Sequence, residues 1–98
     1  MKKIFICSPL RWNTRTNIYM AEEYSRTVAN FWDLPITPHI YFTRFLDDNL
    51  EREREIGISL GIELLKMCDE VNVYWEPSEG MRREIKVAKE LDIKINYK

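Results

Sequence analysis

Strand-like and helix-like segments alternate along this chain without interruption, and that alternation restricts the fold more than any other feature. Residues 4–7 (IFIC) form a short apolar run, the pattern of a buried strand, closed by Ser8-Pro9. Residues 13–32 carry helical spacing, with Met20, Ala21, Tyr24, Val28 and Phe31 on one face and Asn13, Thr14 and Thr16 as candidate N-caps. Leu34-Pro35 stops that helix. A shorter second strand is expected over residues 36–42, because Pro38 cannot donate to a ladder. A polar loop at 43–49 (TRFLDDN) follows, in which Asn49 can cap the next element. The second helix is predicted over 50–68, where Ile56, Leu60, Leu64 and Met67 recur at helical spacing. Residues 71–75 read as a third strand, 80–91 as a third helix and 93–95 as a fourth strand.

Such alternation implies right-handed crossovers and a parallel sheet covered on both faces. The expected fold is therefore a three-layer α/β architecture of the flavodoxin-like or Rossmann-like kind, with a four-stranded parallel sheet in the order 2-1-3-4. At 98 residues there is room for one core, so residues 1–98 are read as a single domain without repeats or linkers. In that order strands 1 and 3 are neighbours whose following helices leave on opposite faces. This is the topological switch point, where such folds bind ligands at the carboxyl ends of the strands. The loops delivered there are CSPLRWN (7–13) and WEPSEGM (75–81).

Composition narrows the partners. Hydrophobic residues make up 45% and charged residues 32%, an ordinary globular mixture, and the net charge is −1. No large basic field suits a nucleic-acid polymer or an anionic membrane surface. No apolar run approaches the roughly 20 residues of a membrane span. The opening MKKIFIC is too short for a signal peptide. Cys7 and Cys68 match no metal or redox spacing and read as reduced, buried thiols, which makes the cytosol the default compartment.

The third helix holds an anomaly. Wound at about 100° per residue, Met81, Ile85, Val87, Ala88 and Leu91 fall on one side, and Arg82, Arg83, Lys86, Lys89 and Glu90 on the other. Glu84 sits near the middle of the apolar stripe. It is a buried or half-buried Glu paired with an Arg, or one that snorkels out past its neighbours, or it is aimed at a pocket. In the last case the helix N-terminus is expected to hold it ionised, as a nucleophile or electrostatic stabiliser requires. Ser78-x-Gly80 supplies a hydroxyl and backbone N–H groups at the same helix start, a cradle for phosphate or a sugar hydroxyl, although Ser is also a commonplace N-cap.

On the facing loop, Ser8-Pro9-Leu10-Arg11 ends in a guanidinium fork suited to phosphate or carboxylate, while Trp12 could stack on a base or serve as an anchor. His39 and Tyr41 stand beside the mouth; a single His without a second ligand at metal spacing is no metal site. Asp47-Asp48 could bind ribose hydroxyls or a cation, although such a pair is more often solvated turn chemistry. No cofactor is expected. Gly57 and Gly61, one turn apart, would let the second helix approach a neighbour closely, and the charge run EREREIG reads as a solvated face without function.

Taken together, ICSPL-R, PHIYF with LDDN, LLKMCDEV and SEGMRREIKVAKELDI resemble the small bacterial and phage relatives of the nucleoside 2-deoxyribosyltransferases, which include deoxynucleotide N-glycosidases and domains of unknown function. The likeness covers nearly the whole chain, and its most specific piece is Ser78-x-Gly80-x-x-x-Glu84 followed by Ala88. The resemblance implies that Glu84 attacks the sugar anomeric carbon to form a covalent glycosyl-enzyme, and that Ser78 contacts the 5′ end or phosphate of the substrate. Ser8, Pro9, Arg11, His39, Asp47, Asp48 and Gly80 are the further expected substrate contacts.

Two family positions differ: the acid of the second helix falls on Gly61, and the strand-1 Tyr on Phe5. Asp47, Asp48 or Glu79 would then have to supply the proton. Two functions are therefore expected, cleavage or transfer of a nucleoside or nucleotide N-glycosidic bond, or non-catalytic nucleotide binding and sequestration; a purely structural or interaction role ranks last, because it leaves the inward Glu84 and the Ser-x-Gly turn unexplained. A homodimer is also expected. Three Trp, five Tyr and four Phe are more aromatic surface than so small a core hides, with the Gly57–Gly61 helix as the candidate interface.

Overall fold

The computed structural model describes residues 1–98. Strands β1 (Lys3–Cys7), β2 (Leu34–Ile36), β3 (Glu70–Val73) and β4 (Lys94–Tyr97) form one parallel sheet in the order β2-β1-β3-β4. Between them run α1 (Thr14–Asn30), a short α2 (Pro38–Tyr41) with a 3₁₀ turn (Phe42–Arg44), α3 (Glu51–Leu65) and α4 (Glu79–Glu90). This is the expected flavodoxin-like α/β fold, with the expected strand order. No helix is long and apolar enough to cross a membrane.

The alternation of β1 sets the layers. Phe5 and Cys7 point to the face covered by α3 and α4, where they join Leu65, Cys68, Val71, Val73, Met81, Ile85 and Ala88. Ile4 and Ile6 point the other way, onto Val28 of α1, with Tyr24 and Tyr74 stacked beside them at 3.8 Å. Full burial of side chains such as Phe5 and Leu65 contributes about 1.5–3 kcal/mol each.

The second strand differs from expectation. It covers Leu34–Ile36, and the 36–42 segment turns at Thr37 into α2 and the 3₁₀ turn. The reason is Pro38: without an N–H it cannot extend the ladder, and its fixed φ suits the first helical position it occupies. Pro35 is tolerated inside β2 because β2 is an edge strand, paired only with β1. The turn matters functionally, because it lifts His39 and Phe42 over the carboxyl end of the sheet.

Smaller departures concern caps. Asn13 makes no side-chain cap bond; instead the Asn17 amide donates to the Leu10 and Arg11 carbonyls at 3.0 and 3.3 Å and pins the β1–α1 loop. Leu50, not Asn49, occupies the N-cap of α3. Gly57 and Gly61 face inward, toward Leu46 and toward Glu84 with Pro38 respectively, so they serve intramolecular packing and do not form a face for a second copy.

Candidate functional site

The loops after β1 and β3 open onto one cavity of about 260 Å³ at the topological switch point. Its walls come from the β1–α1 loop, α2 with its 3₁₀ turn, α3 and the first turns of α4. The volume lies just below the roughly 300–1,000 Å³ of pockets that hold drug-sized ligands.

Glu84 forms part of the wall although its residue is only 6% exposed. The Cys7 thiol donates to its Oε1 at 3.3 Å. Oε2 accepts no hydrogen bond from the protein and lies against Gly61, where an added Cβ would stand 3.3 Å away. No cation pairs with Glu84, because its helix neighbour Arg83 is held fork to fork by Glu55 at 3.1 and 3.0 Å. The paired-carboxylate alternative is therefore ruled out.

The expectation that the helix N-terminus keeps Glu84 ionised is also corrected. Burial pushes the carboxyl up to about 7, against the Cys7 hydrogen bond and the Arg83 charge. Glu84 is the sixth residue of α4, beyond the first turn to which free amides and the dipole reach. Burial, and then the Glu84 charge, push the Cys7 thiol up, so Cys7 stays a protonated donor.

Around this carboxyl the polar groups are sparse and held. Ser78 is the N-cap of α4; its Oγ accepts the Met81 N–H at 3.4 Å, and its own N–H donates to the Met81 sulfur at 3.5 Å. The N–H groups of Glu79 and Gly80, first in the helix, find no acceptor in the protein. His39 donates from Nε2 to the Ser8 carbonyl at 2.7 Å, which fixes its tautomer, and burial holds its pKa below the usual value, so the ring is neutral. Asp48 pairs with Arg11 at 3.6 Å, yet burial keeps its carboxyl above the usual carboxylate range despite the Arg11 and Arg54 charges. The Ser8 hydroxyl is buried without any partner.

Of the residues singled out in the sequence, Ser8, Pro9, Arg11, His39, Asp48, Ser78, Gly80 and Glu84 all border the cavity. Asp47 does not: its carboxylate accepts the Asn49 N–H at 2.9 Å in the loop, on the turn side. Arg11 is not a free fork, since it is engaged by Asp48 and lies 5.0 Å over the Trp12 ring.

Two residues were missed. Cys7 is buried as expected, but its contact with Glu84 spans 77 positions of sequence and leaves no local trace. Arg54, inside the charge run read as a solvated face, is buried at 8% exposure and borders the cavity. A signal for it existed: Arg54, Ile58, Gly61 and Leu65 lie within about 60° of one another on the helix, the inward stripe of α3. It is the same kind of misplaced charge as Glu84.

Residues 2–98 match the family defined as a domain of unknown function, DUF7768. The chain belongs to that family. No curated protein matches it in sequence. Among solved structures, the 2-deoxyribosyltransferase of the psychrotolerant bacterium Bacillus psychrosaccharolyticus superposes with a TM-score of 0.75 over 97% of this chain and 70% of that one, at 12% identity. At such identity the likeness establishes the shared fold. In this DUF7768 member the fold brings an unpaired, buried carboxyl to the cavity at the switch point.

Proposed function

We propose that the cavity cleaves or transfers the N-glycosidic bond of a nucleoside or nucleotide, with Glu84 as the nucleophile. The observation that carries this reading is the bare Oε2 of a buried, unpaired carboxyl at the cavity wall, with Gly61 making room for it. The shared fold with a 2-deoxyribosyltransferase supports it. In the first step Oε2 of the ionised carboxyl, the form favoured above about pH 7, attacks the anomeric carbon, the carbon–nitrogen bond breaks, and the base leaves with the bonding pair. A proton must reach the leaving base. Of the three acids considered, Asp47 is outside the cavity, and Asp48 is the one that burial biases toward its protonated form, so Asp48 is assigned the role. Water or a second base then attacks the glycosyl ester and returns the Glu84 carboxylate, the double displacement of a retaining glycosidase. The Cys7 thiol holds Oε1, leaving Oε2 free to react.

A second reading has its own support. Glycine stands where the transferases carry an acid, which suits a protein that binds a nucleotide without turning it over. The deciding experiment incubates pure protein with the common deoxynucleosides and their 5′-monophosphates and measures free base, alongside Glu84→Gln. Release by the wild type that collapses by several orders of magnitude in the variant, with ligand binding kept, supports the nucleophile. Undiminished release by Glu84→Gln refutes it. Binding without any release leaves the nucleotide-binding reading.

Two accompanying features belong to the proposal. Both cysteines are free thiols, in keeping with a cytoplasmic setting. A homodimer is supported by the exposed aromatic surface beside the cavity, where Trp12 is 93% exposed and Tyr41 and Phe45 stand edge to face.

A further inference from the structure

The one cation of the cavity wall that is left without a partner is Arg54. It is 8% exposed, forms no ion pair within 4.0 Å, and its guanidinium donates no hydrogen bond. Three acids of the same region are engaged elsewhere. Asp48 is paired with Arg11, Glu55 with Arg83, and the Glu53 carboxylate accepts the Asp47 N–H at 2.7 Å. The side chain is buried, but its guanidinium nitrogens are not sealed off by protein, so they open to the cavity, where an anion can reach them.

Its position points to what that ligand is. Arg54 Nη2 lies 3.9 Å from where a Cβ on Gly80 would stand, so the guanidinium lies against the start of α4. The unsatisfied Glu79 and Gly80 N–H groups are at that same helix start. A 12-residue helix with its first amides free and a buried, unpartnered arginine beside them form a site for an anion with several acceptor oxygens. Gly80 carries no side chain to stand between the two sets of donors.

We infer that Arg54 and the first amides of α4 bind a phosphate monoester, so that the cavity takes nucleotides in preference to uncharged nucleosides. The inference deepens the functional reading above, on which the nucleoside portion rests; the anion site itself stands on the Arg54 geometry. Arg54 is a specificity residue in this assignment, remote from the bond that breaks.

The test measures affinity of the wild type and Arg54→Gln for each common deoxynucleoside, its 5′-monophosphate, its 3′-monophosphate and inorganic phosphate, by calorimetry at fixed ionic strength. Circular dichroism confirms that the variant is folded. For the wild type, at least one 5′-monophosphate is expected to bind about ten- to a hundredfold tighter than its nucleoside, the range of a charge-assisted contact. Arg54→Gln should abolish that advantage and leave nucleoside affinity within about twofold. Arg54→Lys, a point charge without the fork, should restore only part of it. A wild type that binds no monophosphate better than its nucleoside, or an Arg54→Gln variant that keeps the full preference, overturns the inference. Phosphate-dependent binding without base release sinks the glycosidic reading alone; base release indifferent to the phosphate sinks this one alone.

Discussion

Replacing Glu84 with glutamine should make the protein more stable at neutral and alkaline pH, the reverse of what removing half of an ion pair does. Burial disfavours the charge and pushes the folded carboxyl up to about 7, whereas an exposed glutamate titrates at about 4.5. Below about pH 4.5 both folded and unfolded chains hold the proton and the group contributes nothing. Between about 4.5 and 7 the folded state binds more protons than the unfolded state, so stability falls as pH rises through that window, then levels off. The gap corresponds to roughly 3 kcal/mol lost across the window. For a domain of this size that is on the order of 10–20 °C in melting temperature. Glutamine keeps the shape, its amide can reach Cys7 or the cavity, and it carries no titration.

Thermal unfolding of both proteins, followed by circular dichroism from pH 4.5 to 8, therefore has a defined expectation. The curves converge at the acid end, and the variant melts higher at pH 8. Asp48, also raised, and Glu55 and Glu70, held low by Arg83 and Lys2, contribute equally to both proteins and cancel in the difference. Parallel curves, or a variant less stable at pH 8, would show that Glu84 is ionised and compensated in the folded state, and the reasoning would fail.

Gly61→Ala tests the room made for that carboxyl: its Cβ would stand 3.3 Å from Oε2, so the carboxyl must shift by a few tenths of an ångström. Helix propensity should offset the crowding by up to about 1 kcal/mol, leaving melting temperature unchanged or raised, while base release slows about tenfold; an unaltered rate refutes the spacing argument. Light scattering at tens of micromolar should return twice the chain mass, and a monomer mass would end the dimer expectation.

What the chain determines by itself is what local periodicity can encode. Apolar runs at 4–7 and 71–75, separated by helical spacings, required parallel strands with crossovers, and the sheet formed in the order that pattern implied. The inward direction of Glu84 was legible for the same reason: a helix of known pitch places each residue on a face, whatever that face later meets. Arg54 was legible on the same terms, but its run of alternating charges masked the stripe it shares with Gly61 and Leu65.

The tertiary structure decided the rest. Pro38 could have ended a strand or opened a helix, and the edge position of β2 with the packing of α2 on α3 selected the helix. The protonation of Glu84, its thiol partner and the isolation of Arg54 depend on groups brought from distant parts of the chain. Whether a buried charge is compensated is set by what surrounds it in space, because desolvation and pairing act over ångströms between side chains and not along the sequence.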